Sequence, residues 1–101
     1  GSMADMMAAN AGLFLLDEPE AALSPQRQLS LLSIINSMEK EKKSQLIIAS
    51  HSPILLAYPN ADIFLLDENG ISKVRYEETD HYLITKGFLD NPDKYFEMLF
   101  D

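Results

Sequence analysis

Residues 13–25 read LFLLDEPEAALSP, and residues 46–53 read LIIASHSP. In both, a short apolar run meets an abrupt polar stop. Leu13-Phe14-Leu15-Leu16 closes on Asp17-Glu18-Pro19, and Leu46-Ile47-Ile48-Ala49 closes on Ser50-His51-Ser52-Pro53. A run without alternation has no solvent side, which suits a strand buried on both faces of a parallel sheet. Between the runs, Ser24 is placed to cap a helix whose first position is Pro25, where a missing N–H costs nothing. Leu31, Leu32, Ile35 and Met38 then recur at helical spacing as one apolar stripe. Lys40, Lys42 and Lys43 crowd its end, where cations complement the helix dipole. Strand, helix, strand is a right-handed crossover unit and predicts a parallel pair.

Working outward, residues 4–10 (ADMMAAN) are good helix formers, with Asn10 and Gly12 as breakers. Gly1-Ser2-Met3 reads as a cleavage scar followed by a start methionine and is set aside from the fold. After a short segment (54–59), residues 63–66 and 71–76 read as two more strands. Asn69-Gly70 between them predicts a hairpin, because both residues accept positive φ. Residues 79–101 read as two short helices. The second starts at Asn91-Pro92 and carries Tyr95, Phe96, Leu99 and Phe100 on its apolar face. The expected class is α/β, with residues 4–101 as one domain.

Composition bounds the function. A chain of 101 residues, 47% hydrophobic and 24% charged, is an ordinary globular domain rather than a disordered tail, collagen repeat or coiled coil. The net charge is −8, and ten of the 16 acids fall in residues 51–101. Such a field repels phosphate backbones, so direct nucleic-acid binding is not expected. With no cysteine there is no disulfide or thiolate metal site, which fits a reducing, cytoplasmic compartment. The apolar runs are far short of the roughly 20 residues needed to cross a bilayer.

Phe-Leu-Leu-Asp-Glu occurs twice, at 14–18 and at 64–68. The second copy leads into a hairpin tip, where acids are ordinary solvated turn residues. The first ends a buried parallel strand, the place where open α/β sheets bind ligands. An aspartate fixed there can hold Mg²⁺, usually through its water shell, and the next carboxylate can polarise an attacking water. Taken alone, two acids at a strand end more simply face solvent. Likewise, a histidine beside serines is more often a hydrogen-bonding residue than a catalyst, so His51 gains weight only from the Asp17-Glu18 context. A helix cap explains Ser24 better than a nucleophile does. His81 reads as a surface residue, and His51, His81 and the acids show no metal-ligand spacing.

Together, LFLLDEPEAALSP and IIASHSP resemble the C-terminal half of an ATP-binding-cassette (ABC) ATPase domain, of the sort similar to chromosome-maintenance and DNA-repair ATPases. The resemblance covers residues 13–76 with specific motifs and the tail to Asp101 loosely. It implies a fragment of the three-layer P-loop NTPase fold, with parallel strands followed by a hairpin and helices. By that resemblance Asp17 is the Walker B aspartate at the metal, and Glu18 is the catalytic glutamate. Ala22-Leu23-Ser24 is the D-loop, which puts Ser24 against bound nucleotide between two sites of a head dimer. His51 is the switch histidine, which contacts the γ-phosphate. ATP and Mg²⁺ are implied for the intact parent only. The implied partners are the missing N-terminal half of the domain and a second copy in a homo-oligomer.

The departures matter equally. The four glycines, Gly1, Gly12, Gly70 and Gly87, cannot build a GxxxxGK[ST] phosphate loop, and the glycine-rich signature is missing too. Ser24 stands where most transporters of the family carry aspartate. This chain alone is therefore expected neither to bind ATP tightly nor to hydrolyse it. Without the phosphate-loop strand the 46–49 edge would lie open, so a rearranged or dimer-completed four-stranded sheet is expected. The alternative function is a stand-alone acidic α/β interaction module that keeps ATPase-like residues as scaffold. A receiver-like phosphate-handling fold is poorly supported, because its acidic cluster and downstream lysine are not suitably placed.

Overall fold

A computed structural model describes residues 12–41 and 44–101. Residues 1–3, read above as a cleavage scar, the expected helix at 4–10, and Lys42 and Lys43 lie outside the described residues. The elements are β1 (Gly12–Asp17), α1 (Pro25–Glu41), β2 (Ser44–Ala49), β3 (Ile63–Asp67), β4 (Gly70–Val74), α2 (Asp80–Asp90) and α3 (Pro92–Leu99), with short 3-10 turns at Pro19–Ala22, Leu55–Ala57 and Tyr76–Glu78. The class is α/β: a parallel strand pair, an antiparallel hairpin and helices, consistent with part of a P-loop NTPase fold. Two compact units divide the chain, Gly1–Tyr58 and Pro59–Asp101.

In the first unit, β1 and β2 pair in parallel from Gly12↔Ser44 to Asp17↔Ala49, with α1 as the crossover. Ser24 caps α1 as its position requires: its Oγ accepts the Arg27 N–H at 3.2 Å. The apolar stripe of α1 forms the core. Leu31, Ile35 and Leu55 are buried together, and Leu23, Leu32, Leu46, Ile48 and Tyr58 pack against them. Met38 is buried as well. The strands, however, are covered on one face only: Leu13, Leu15 and Ile47 remain 59%, 70% and 51% exposed. The expectation of burial on both faces fails because, among the described residues of this unit, α1 and the segment after β2 pack on one face of the pair.

In the second unit, β3 and β4 pair antiparallel from Ile63↔Val74 to Asp67↔Gly70. The hairpin forms, but its two-residue tip is Glu68-Asn69 rather than Asn69-Gly70. The Asp67 carboxylate accepts the Asn69 N–H at 2.8 Å, and Gly70 alone takes the positive φ, at 115°. β4 stops at Val74, two residues earlier than expected, because the Glu78 carboxylate takes the Arg75 N–H at 2.8 Å and opens a turn. Buried Thr79 then caps α2, accepting the Tyr82 N–H at 3.1 Å while donating to the Tyr76 carbonyl at 2.8 Å. Pro92 begins α3, whose Tyr95 and Phe96 meet Phe88 of α2 edge to face.

Among the described residues the rearranged four-stranded sheet does not form within the chain: β2 pairs with β1 and β3 with β4, in two separate sheets. No described helix is long and apolar enough to cross a membrane.

Candidate functional site

Because β1 and β2 run parallel and in register, their C-terminal ends lie side by side, with Asp17 opposite Ala49. Asp17, the last residue of β1, is exposed at that edge. Glu18 then turns the chain sharply. It adopts the left-handed conformation (φ 46°, ψ 54°), and its N–H donates to the Ala49 carbonyl at 2.7 Å, binding the turn to the end of β2. For a residue with a Cβ this backbone costs roughly 1–2 kcal/mol, and such strain tends to collect at functional sites.

The same end of β2 presents His51. Its Nε2 lies 3.7 Å from Glu18 Oε1, with the two side chains 75% and 55% exposed. That separation is too long for a hydrogen bond, and it is an ion pair only when the imidazole is protonated. In such exposure it contributes roughly 0–1 kcal/mol to stability. The contact therefore adds little to the fold, yet it brings a carboxylate and an imidazole from two different strand ends to one place.

Two polar residues absent from the motif reading shape the loop that carries His51. Glu20, in the 3-10 turn after β1, accepts the Ser50 hydroxyl with one oxygen and the His51 backbone N–H with the other, both at 2.9 Å. Burial pushes its carboxyl pKa upward, but the hydrogen bonds from His51, from its own backbone and from Ser50 outweigh burial and hold it below the ordinary carboxylate range. On α1, Gln28 binds on both sides: its Nε2 donates to the Leu23 carbonyl at 3.2 Å, and its Oε1 accepts the hydroxyl of buried Ser52. Ser52 Oγ in turn accepts the N–H groups of Ile54 and Leu55 at 3.2 Å, capping the turn that follows. No sequence period marks either residue, since Glu20 and His51 are 31 positions apart. The one available signal is a pair of polar side chains flanking the Leu23-Ser24 entry to α1.

Ser24 lies at the start of α1, where its hydroxyl is engaged as the helix cap. The second Asp-Glu copy forms the end of β3 and the hairpin tip, where Asp67 serves the turn. His81 is half-buried on α2. Among the described residues no three His, Asp or Glu side chains gather as a metal cage. Asp17 as a lone strand-end carboxylate instead suits an ion that keeps most of its water shell, which is how Mg²⁺ commonly binds.

A family model described as "AAA domain, putative AbiEii toxin, Type IV TA system" matches residues 4–57, just over half of the chain. The matched span contains Asp17, Glu18, Glu20, Ser24, Gln28 and His51. No curated protein matches the chain.

Proposed function

The chain belongs to that family of AAA domains, and from this premise we propose that it is the Walker B to switch-histidine part of an ABC-type ATPase domain. At the family level the domain is a nucleotide-binding, ATPase-like module. The finer reading rests on one observation: Glu18 and His51, carried on the ends of adjacent parallel strands, meet at 3.7 Å beside Asp17. In this reading Asp17 holds Mg²⁺ through its water shell, Glu18 orients and polarises the attacking water, and His51 faces the γ-phosphate. The bound ion would supply charge neutralisation on the phosphate oxygens. Ser24 belongs to the loop that would cross to a second nucleotide site, which makes a second copy part of the working assembly. Both compact units then belong to one ATPase domain spanning residues 4–101.

The phosphate cradle must come from elsewhere, since these 101 residues hold no GxxxxGK[ST] loop. The chain alone should therefore show no micromolar ATP affinity by calorimetry. In the parent ATPase, joined to its phosphate loop, Glu18→Gln should retain bound ATP and lower turnover by roughly 10²-fold or more, the usual contribution of a general base. Unchanged turnover in that variant would overturn the reading. The interaction-module alternative draws support from the uncovered apolar face at Leu13, Leu15 and Ile47. It becomes the better reading if Glu18→Gln has no effect on turnover.

A further inference from the structure

We propose that Glu20 is the positioning residue for His51: its two carboxylate oxygens hold the Ser50 hydroxyl and the His51 backbone N–H, and so set where the imidazole stands against Glu18. The inference rests on the reading of Glu18 and His51 as the reacting pair. Its basis is the path of the chain. The left-handed turn at Glu18, tied to the Ala49 carbonyl, sends the backbone over the end of β2. The 3-10 turn at Pro19–Ala22 then carries Glu20 to the start of the histidine loop.

One planar carboxylate accepting from two consecutive residues fixes orientation as well as distance, and hydrogen bonds to an ionised acceptor are among the stronger ones. The donor at His51 is its own backbone N–H, one bond from the Cα that bears the ring. Gln28 fixes the other side of the loop at Ser52, so the histidine is held between two anchors, of which Glu20 is the one bonded to His51 itself. Glu20 also remains ionised below the usual carboxylate range, which keeps the anchor in place under ordinary conditions. Because rates respond steeply to displacements of about 1 Å, a residue that moves only the loop still governs turnover.

The test has two arms. In the 101-residue chain, ¹H–¹⁵N spectra of Glu20→Ala should move the His51 and Ser50 amide resonances and the His51 ring signals, while the amides of Phe14–Leu16 and Leu46–Ile48 stay where they are. In the parent ATPase the same variant should lower kcat roughly 10- to 100-fold, as expected for loss of a charge-assisted hydrogen bond, with KM for ATP within about two-fold. Glu20→Gln, which keeps an oxygen acceptor, should recover part of both signals. The proposal is overturned if the His51 resonances do not move in Glu20→Ala, if they move without loss of kcat, or if the strand amides shift as much as the loop. The ATPase reading is judged separately, by Glu18→Gln; should that variant turn over normally, the kinetic role of Glu20 falls with it, while the spectra still decide whether Glu20 holds His51.

Discussion

Glu18 carries a long side chain at a position where the backbone favours none. The other left-handed residue among those described, Asn60 at φ 63°, is a type that tolerates the conformation; glutamate is not. The hydrogen bond from Glu18 to Ala49 enforces the turn whatever the side chain, so the strain comes from the Cβ. Glu18→Gly should relieve roughly 1–2 kcal/mol of it. The added freedom of the unfolded chain offsets about 0.4–1 kcal/mol, and the lost contact with His51 removes little. The expected result is a chain more stable by about 0.5–1 kcal/mol in urea unfolding, with its carboxylate gone. A less stable variant would mean that the Glu18 side chain contributes more to the fold than its exposure suggests. A stabilising change at the centre of a proposed site is what strain retained for function predicts.

Gly87 is the corresponding test for an element. It lies in α2 where Tyr95 of α3 crosses, and a Cβ there would strike the Tyr95 hydroxyl, with the next ring atom at 3.3 Å. Gly87→Ala gains about 1 kcal/mol of helix propensity but must displace a ring that packs edge to face on Phe88, an overpacking cost of roughly 1–3 kcal/mol. A net loss of about 1 kcal/mol follows, and in a Tyr95→Phe background the same substitution should become neutral or stabilising. An equal cost in both backgrounds would remove the hydroxyl clash as the cause. The elements themselves were legible because their signals are local: four-residue apolar runs, Ser24-Pro25, and Asn91-Pro92 each act within a few positions. What escaped depends on competition or distance. Asp67 captured the Asn69 N–H and moved the hairpin tip by one residue, and Glu78 captured the Arg75 N–H and shortened β4. Of the site, the strand-end acids and His51 were readable from pattern. Glu20 and Gln28 were not, since their partners lie more than 20 residues away and no period connects them.

At the scale of the whole chain, two forces of opposite sign act on its surface. Leu15 and Ile47 on the strand pair, Leu66 and Ile71 on the hairpin, and Leu99 and Phe100 at the C-terminal end all remain more than half exposed. Surfaces of this kind favour association, and the outer edges of the two strand pairs, which carry no further strand among the described residues, add to the tendency. Against it stands a net charge of −8 at neutral pH, which makes copies repel one another. That repulsion vanishes near the isoelectric point of about 4.5, as carboxylates take up protons, while the apolar area is unchanged. Sedimentation velocity should therefore show the least association at pH 8 and low salt, and the most near pH 4.5. Raising salt to 1 M at pH 8 should move the chain partway, since the screening length falls to about 3 Å. Ile47→Lys places a cation on the uncovered face of β2, and it should weaken association at each pH without altering helix content by circular dichroism. Identical sedimentation at pH 8 and pH 4.5 would mean that charge does not hold the copies apart. Association that Ile47→Lys leaves untouched would move the adhesive surface from the strand pair to the hairpin or the C-terminal helices.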